Sequence, residues 1–265
     1  MAALLRERGR AVHPLTLSGL SDRSVGAAGV GLDEHVEDVV TLLEDRDLHE
    51  VVLLGHSYAG LVAGMVADRA ADRVAHTVFL DANVPVDGAS MVDGWSAAGQ
   101  DLVRASIAGH EGLWPAPEPE DLAGHDLTDD QVADLLARST GHPGRTLLEP
   151  ASLTRPMAQL SATFAACTLP DGPEQRPHVE ALRGAWDFVE LETGHWPMVA
   201  GWPVRSKRPG GWGPGRAGGP TAPAAACGDP TAYRVHPARE TANGPNPPQG
   251  VEGSGRSTRS DQGRP

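Results

Sequence analysis

Apolar residues recur along the first two hundred positions in two alternating rhythms. Val36, Val39, Val40 and Leu43 fall at helical spacing behind Asp33, which reads as the cap of an amphipathic helix. Val51-Val52-Leu53-Leu54 is an unbroken apolar run, the pattern of a strand buried on both faces. Leu61, Val62, Met65 and Val66 return to helical spacing, and that helix is expected to reach about Ala71. Thr77-Val78-Phe79-Leu80 is the next strand, closed by Asp81. Upstream, residues 1–9 read as the last turns of a helix stopped at Gly9, and residues 11–15 as a short strand. Strands alternating with helices predict an α/β fold, a mostly parallel sheet with helices on both faces.

The alternation stops after residue 84. Residues 85–156 carry Pro- and Gly-rich loops, Trp95, Trp114 and an acidic segment through Glu118-Pro119-Glu120-Asp121. Thr128 and Gln131 form a capping box ahead of Val132, Leu135 and Leu136. This stretch is expected to be a small helical cap inserted over the site. Residues 157–200 resume the core with Thr163-Phe164-Ala165-Ala166-Cys167, a helix near 179–182, and Trp186-Asp187-Phe188-Val189-Glu190-Leu191 before the loop Glu192-Thr193-Gly194-His195. Residues 201–265 hold about two dozen Gly and Pro in sixty-five positions, the composition of a disordered tail. So abrupt a change after Ala200 is what a shifted reading frame would produce.

Charge sharpens this division. The net charge of −13 averages a tail near +5 with a body near −18, and an acidic body repels nucleic-acid phosphates. Cys167 and Cys227 make no disulfide framework, and no Cys/His spacing resembles a zinc site. No apolar run is long enough to span a bilayer, and the charged first ten residues do not read as a signal peptide, so a cytoplasmic protein is expected. No metal or organic cofactor is implied, and a homodimer is compatible with the composition.

The chemistry centres on Gly55-His56-Ser57-Tyr58-Ala59-Gly60. An apolar strand, a small residue, a serine, another small residue and a helix together spell a nucleophile elbow. The sharp turn strains the serine backbone and demands small neighbours, which Gly55 and Ala59 supply. Ser57 is the expected nucleophile, and the Tyr58 N–H a donor for the developing oxyanion. A hydroxyl needs a base, and His195 follows a late strand with Gly194 ahead of it. Two carboxylates compete to orient that base: Asp81, directly after a compact strand, and Asp171, in a turn before Gly172. Asp81 is preferred for its cleaner flanks. His35 is read as lying on a solvated helix face, and His56 as pointing away into the sheet. His13, His110, His125, His142 and His178 are given no role.

With the elbow, Phe79-Leu80-Asp81-Ala82-Asn83-Val84-Pro85 and Gly194-His195 in order, residues 3–199 resemble the α/β-hydrolase superfamily. The resemblance is nearer to bacterial relatives of the plant methyl esterases and hydroxynitrile lyases. His13-Pro14-Leu15-Thr16-Leu17-Ser18-Gly19-Leu20 and Gly31-Leu32-Asp33-Glu34-His35-Val36-Glu37-Asp38-Val39 add to it. The resemblance implies a Ser57 nucleophile, a His195 base, a small cap and hydrolysis of a small ester or amide. It also implies an early strand with a His-Gly oxyanion loop and a last helix after His195, neither legible in this sequence. The chain is therefore expected to be a truncated and poorly soluble form lacking one oxyanion donor. A dead remnant, or a module that only binds, is the second reading. A lyase or a cofactor-free oxygenase is the third. Cyanohydrin-cleaving members carry a lysine where this chain has Trp196, which favours the esterase reading over the lyase.

Overall fold

The computed structural model describes residues 1–169, 176–200 and 206–207. Helix α1 (Ala2–Glu7) leads into irregular chain and two single-turn 3-10 segments as far as Gly31. The strand expected at residues 11–15 does not form. A strand needs a ladder partner, and Pro14 has no N–H to offer one.

Helix α2 (Leu32–Asp45) begins one residue earlier than its expected cap. The Gly31 N–H donates to Glu34 at 3.0 Å, and the Leu32 N–H to Glu149 at 2.7 Å. A carboxylate from far downstream thus satisfies the helix start, and Asp33 sits within the first turn, where negative charge suits the dipole. Then come β1 (Val51–His56), α3 (Ala59–Arg69) and β2 (Val74–Leu80). Residues 85–156 hold α4 (Ala97–Gly109), β3 (Leu113–Trp114), α5 (Asp129–Arg138), β4 (His142–Pro143) and α6 (Arg145–Leu148). Strands β3 and β4 pair antiparallel. Helix α5 opens on the Thr128–Gln131 capping box. The core resumes with β5 (Ala162–Cys167), α7 (Pro177–Glu180), β6 (Asp187–Leu191) and β7 (Ser206–Lys207). Of the expected tail, residues 206–207 pair with β6, and the rest lies outside the described residues.

The main sheet runs β1-β2-β5-β6-β7. Its first four strands are parallel, and β7 is antiparallel to β6. Parallel strands joined by crossovers bring their carboxyl ends to one edge, where ligand sites of open α/β sheets lie. Ser57 follows β1, Asp81 follows β2 and His195 comes four residues after β6, so this topology gathers three distant positions along one edge.

Leu32, Val36, Val40 and Leu43 of α2 pack against Leu61, Val62, Met65 and Val66 of α3. Phe79, Phe164 and Trp186 fill the neighbouring layer, with Phe79 stacked on Trp186 at 4.8 Å. Strand β1 departs from the two-sided burial expected of it: Val51 and Leu53 pack on that core, but Val52 is 62% and Leu54 47% exposed. Residues 85–156 bury a small cluster of their own, Val92, Val103, Ile107 and Leu147, against which Tyr58, Trp95 and Trp114 pack. Among the described residues no helix is long and apolar enough to cross a membrane.

Candidate active site

At the end of β1 the backbone turns sharply, and Ser57 adopts a φ of 53°, a left-handed conformation costly for a non-glycine residue. Its neighbours over-determine it. The Ser57 N–H donates to Leu80 O at 3.3 Å, and Ser57 O accepts from Gly60 at 3.1 Å and Asn83 at 2.9 Å. A Cβ on Gly55 would lie 2.5 Å from the Ala59 carbonyl oxygen, so the small residue before the serine is required by close backbone approach. Gly60 is equally constrained, since a Cβ there would meet the Asn83 carbonyl oxygen at 2.3 Å. The spacing around the serine points to positions 55 and 59, and the structure adds position 60. The Ser57 side chain is half-buried, and its Oγ has no hydrogen-bond partner among the described residues. The Tyr58 N–H likewise has no backbone acceptor among them, and helix α3 starts at the next residue.

His195 lies beside this turn. Its ring packs on that of His56, the residue before Ser57, with centroids 4.6 Å apart. His195 Nδ1 lies 2.6 Å from Asp81 Oδ2. A carboxylate accepts, so Nδ1 carries the proton and Nε2 is left with its lone pair. Asp81 Oδ1 accepts the Cys167 N–H at 3.3 Å, and Asp81 N–H donates to Ala165 O at 2.7 Å, tying the carboxylate to β5. Burial pushes the Asp81 carboxyl up. The His195 bond and charge, the Arg176 guanidinium and the Cys167 N–H outweigh it and hold the carboxyl below the usual range. Arg176 is anchored by donating to Ala82 O at 2.6 Å. The structure thus brings His195 and Asp81 together, whereas Asp171 lies outside the described residues.

Histidines given no role in the sequence hold the His195 loop in place. His56 does not point away into the sheet. It shares a face with Val52 and Leu54, and at the strand end its Nε2 donates to His195 O at 2.6 Å. Burial, and then the neighbouring His195, push its pKa down to about 4, so it is neutral near pH 7. His125 Nδ1 accepts the His195 N–H at 3.2 Å. Gly194 is needed there because a Cβ would lie 2.3 Å from His125 O.

His35 corrects a second expectation. It is fully buried, not solvated, with Nε2 2.7 Å from Ser18 O and Nδ1 2.8 Å from Tyr58 Oη. Positions 32, 35, 36 and 39 share the apolar stripe of α2, a spacing that places His35 inward. Among the described residues no group of three or more His, Cys, Asp or Glu could hold a metal ion.

Known proteins share this architecture. An extracellular alpha/beta-hydrolase from a Paenibacillus species, described as sharing structural and functional homology with tobacco salicylic acid binding protein 2, superposes with a TM-score of 0.65. The superposition covers 75% of this chain and 85% of that one at 24% identity. A methylesterase from Arabidopsis superposes with a TM-score of 0.55 over 75% of this chain and 84% of its own, at 16% identity. At those identities the likeness is one of fold. A carbendazim hydrolyzing esterase from Nocardioides sp. (strain SG-4G) is 40% identical over 92 residues. That stretch is 34% of this chain and 38% of the esterase's length. The model of the alpha/beta hydrolase family matches residues 1–201, most of the chain. Because that match spans most of the chain and the sheet is mostly parallel with helices between its strands, this chain belongs to the alpha/beta hydrolase family.

Proposed function

We propose that this chain is a serine hydrolase of small carboxylic esters working through an acyl-enzyme, with Ser57 as nucleophile, His195 as general base and Asp81 as the carboxylate that orients it. The observation that carries this reading is the 2.6 Å contact from His195 Nδ1 to Asp81 beside a serine held at positive φ. That contact leaves Nε2 basic on the side of the ring away from the carboxylate. As His195 Nε2 takes the Ser57 proton, Oγ attacks the ester carbonyl carbon. The tetrahedral oxyanion is met by the Tyr58 N–H. The C–O bond to the alcohol then breaks as His195 returns the proton to the leaving oxygen. Water, deprotonated by the same imidazole, releases the acid and restores Ser57.

Similarity to a carbendazim hydrolyzing esterase over 92 residues supports an ester as the target. Residues 85–156 act in this reading as the cap, and Trp95 and Trp114, edge-to-face with centroids 5.9 Å apart, favour an apolar substrate. The test is covalent labelling with a fluorophosphonate, alongside hydrolysis of p-nitrophenyl acetate. Wild type should label and Ser57→Ala should not. Equal labelling of the two, or none of wild type, would sink the proposal and favour the binding-module reading.

A further inference from the structure

The Tyr58 side chain makes contacts that the hydrolytic steps do not use. It leaves the elbow, packs against both the α2–α3 core and the cluster of residues 85–156, and is partly buried. Its hydroxyl meets His35 on α2 at 2.8 Å. The proton positions follow from chemistry. Ser18 O can only accept, so His35 Nε2 bears hydrogen, Nδ1 has the lone pair, and the tyrosine hydroxyl donates to it. On the other side, the His142 ring lies edge-to-face on Tyr58 with centroids 4.5 Å apart. His142 is itself held. Thr146 gives its hydroxyl proton to Pro143 O at 2.7 Å, so His142 Nε2 donates to Thr146 Oγ1 at 2.8 Å. Burial keeps the members neutral: it raises the tyrosine pKa, lowers that of His35 and pushes His142 down to about 4.

We propose that His35 and the Tyr58 hydroxyl are positioning residues, which seat the Tyr58 amide for the oxyanion by anchoring its side chain between α2 and residues 85–156. The inference rests on the hydrolase reading above, because the oxyanion is the charge that amide would meet. The amide and the ring belong to one residue, so a ring free to shift carries the N–H off the oxyanion's position. A donor shifted by a fraction of an ångström loses most of its value only when charge develops, which affects acylation rather than substrate binding.

Tyr58→Phe removes one oxygen and keeps the ring. It should slow the acylation burst with p-nitrophenyl acetate about tenfold, with KM within about twofold of wild type. His35→Leu should slow it comparably. The double variant should be no slower than the worse single one, because both cut the same link. His35→Asn, whose side-chain oxygen can take the place of Nδ1 as acceptor, should recover much of the lost rate. Should His35→Leu fail to fold, Tyr58→Phe and His35→Asn still decide the matter. Wild type labelled by fluorophosphonate and Tyr58→Phe acylating at the wild-type rate would overturn the anchoring alone. An unlabelled wild type would overturn the hydrolase reading, and this inference with it.

Discussion

The carboxyl edge of the sheet and the outward face of β1 are built to different standards. At the edge, the backbone and the carboxylate around His195 are held more than once: the carboxylate by an imidazole and a β5 amide, the His195 backbone by His56 and His125, the serine backbone by Leu80, Gly60 and Asn83. A few residues back along the same strand, Val52 and Leu54 stand exposed on the face opposite Val51 and Leu53. The contrast teaches that the site's geometry comes from strand ends and the loops closing on them. It does not come from uniform burial of the strand beneath. One strand can be tightly constrained at its tip and open along its outer flank.

The sharpest way to break that comparison is at the carboxylate. Asp81 sits at a φ of 44°, a conformation asparagine tolerates, so Asp81→Asn should leave the fold intact. It should force His195 into the wrong tautomer and lower kcat by about 10³ to 10⁴-fold. Steady-state kinetics, with circular dichroism to certify the fold, would check it. A loss under tenfold would mean that the Asp81 contact does not orient the base.

Acid should act next. His56 and His142 both have pKa values pushed down from 6.5 to about 4, chiefly by burial. The unfolded chain therefore takes up their protons first, so stability is full above about pH 6.5 and declines as the pH falls toward 4. The loss should be on the order of 2 kcal/mol per imidazole near pH 4, before the remaining groups titrate. Asp81 adds a dependence of the same sign at lower pH. Its depressed carboxyl contributes stability that is present above its ordinary value of 3.8 and lost only below it. Urea midpoints from pH 7.5 to 4.5 should fall less steeply for His56→Gln and His142→Gln than for wild type. Parallel slopes would show that these imidazoles are not buried neutral.

The smallest effects should come from the outer flank. Val52→Thr and Leu54→Gln should change unfolding free energy by no more than about 0.5 kcal/mol, whereas Leu53→Ala, one residue away and facing the core, should cost about 2 kcal/mol. Chemical denaturation of the three variants measures it. A cost for Val52→Thr or Leu54→Gln matching that of Leu53→Ala would erase the difference between the faces.

Much of this is legible in the sequence. Helical and extended periodicities placed α2, β1, α3, β2, β5 and β6, and the small residues around Ser57 announced the sharp turn. The misreadings have physical causes. Residues 11–15 look extended, but a lone segment without a partner makes no ladder. Asp33 looks like a cap, but Glu149, 117 residues away, takes the helix-start N–H. His35 looked solvated because Glu34, Glu37 and Asp38 stand close in sequence, although its spacing from Leu32, Val36 and Val39 puts it on the buried stripe. His125 offered no local signal, since its contact is with a backbone amide 70 residues on.

The sequence by itself determined the alternation of strands and helices, the elbow and the order of serine, carboxylate and histidine, because these depend on neighbours within a few residues. Tertiary structure alone decided that Asp81 meets His195 across 114 residues, that His56 and His125 hold the His195 backbone, and that Tyr58 reaches from its turn to α2. Those contacts arise from how parallel crossovers bring distant strand ends to one edge, and no local periodicity encodes that closure.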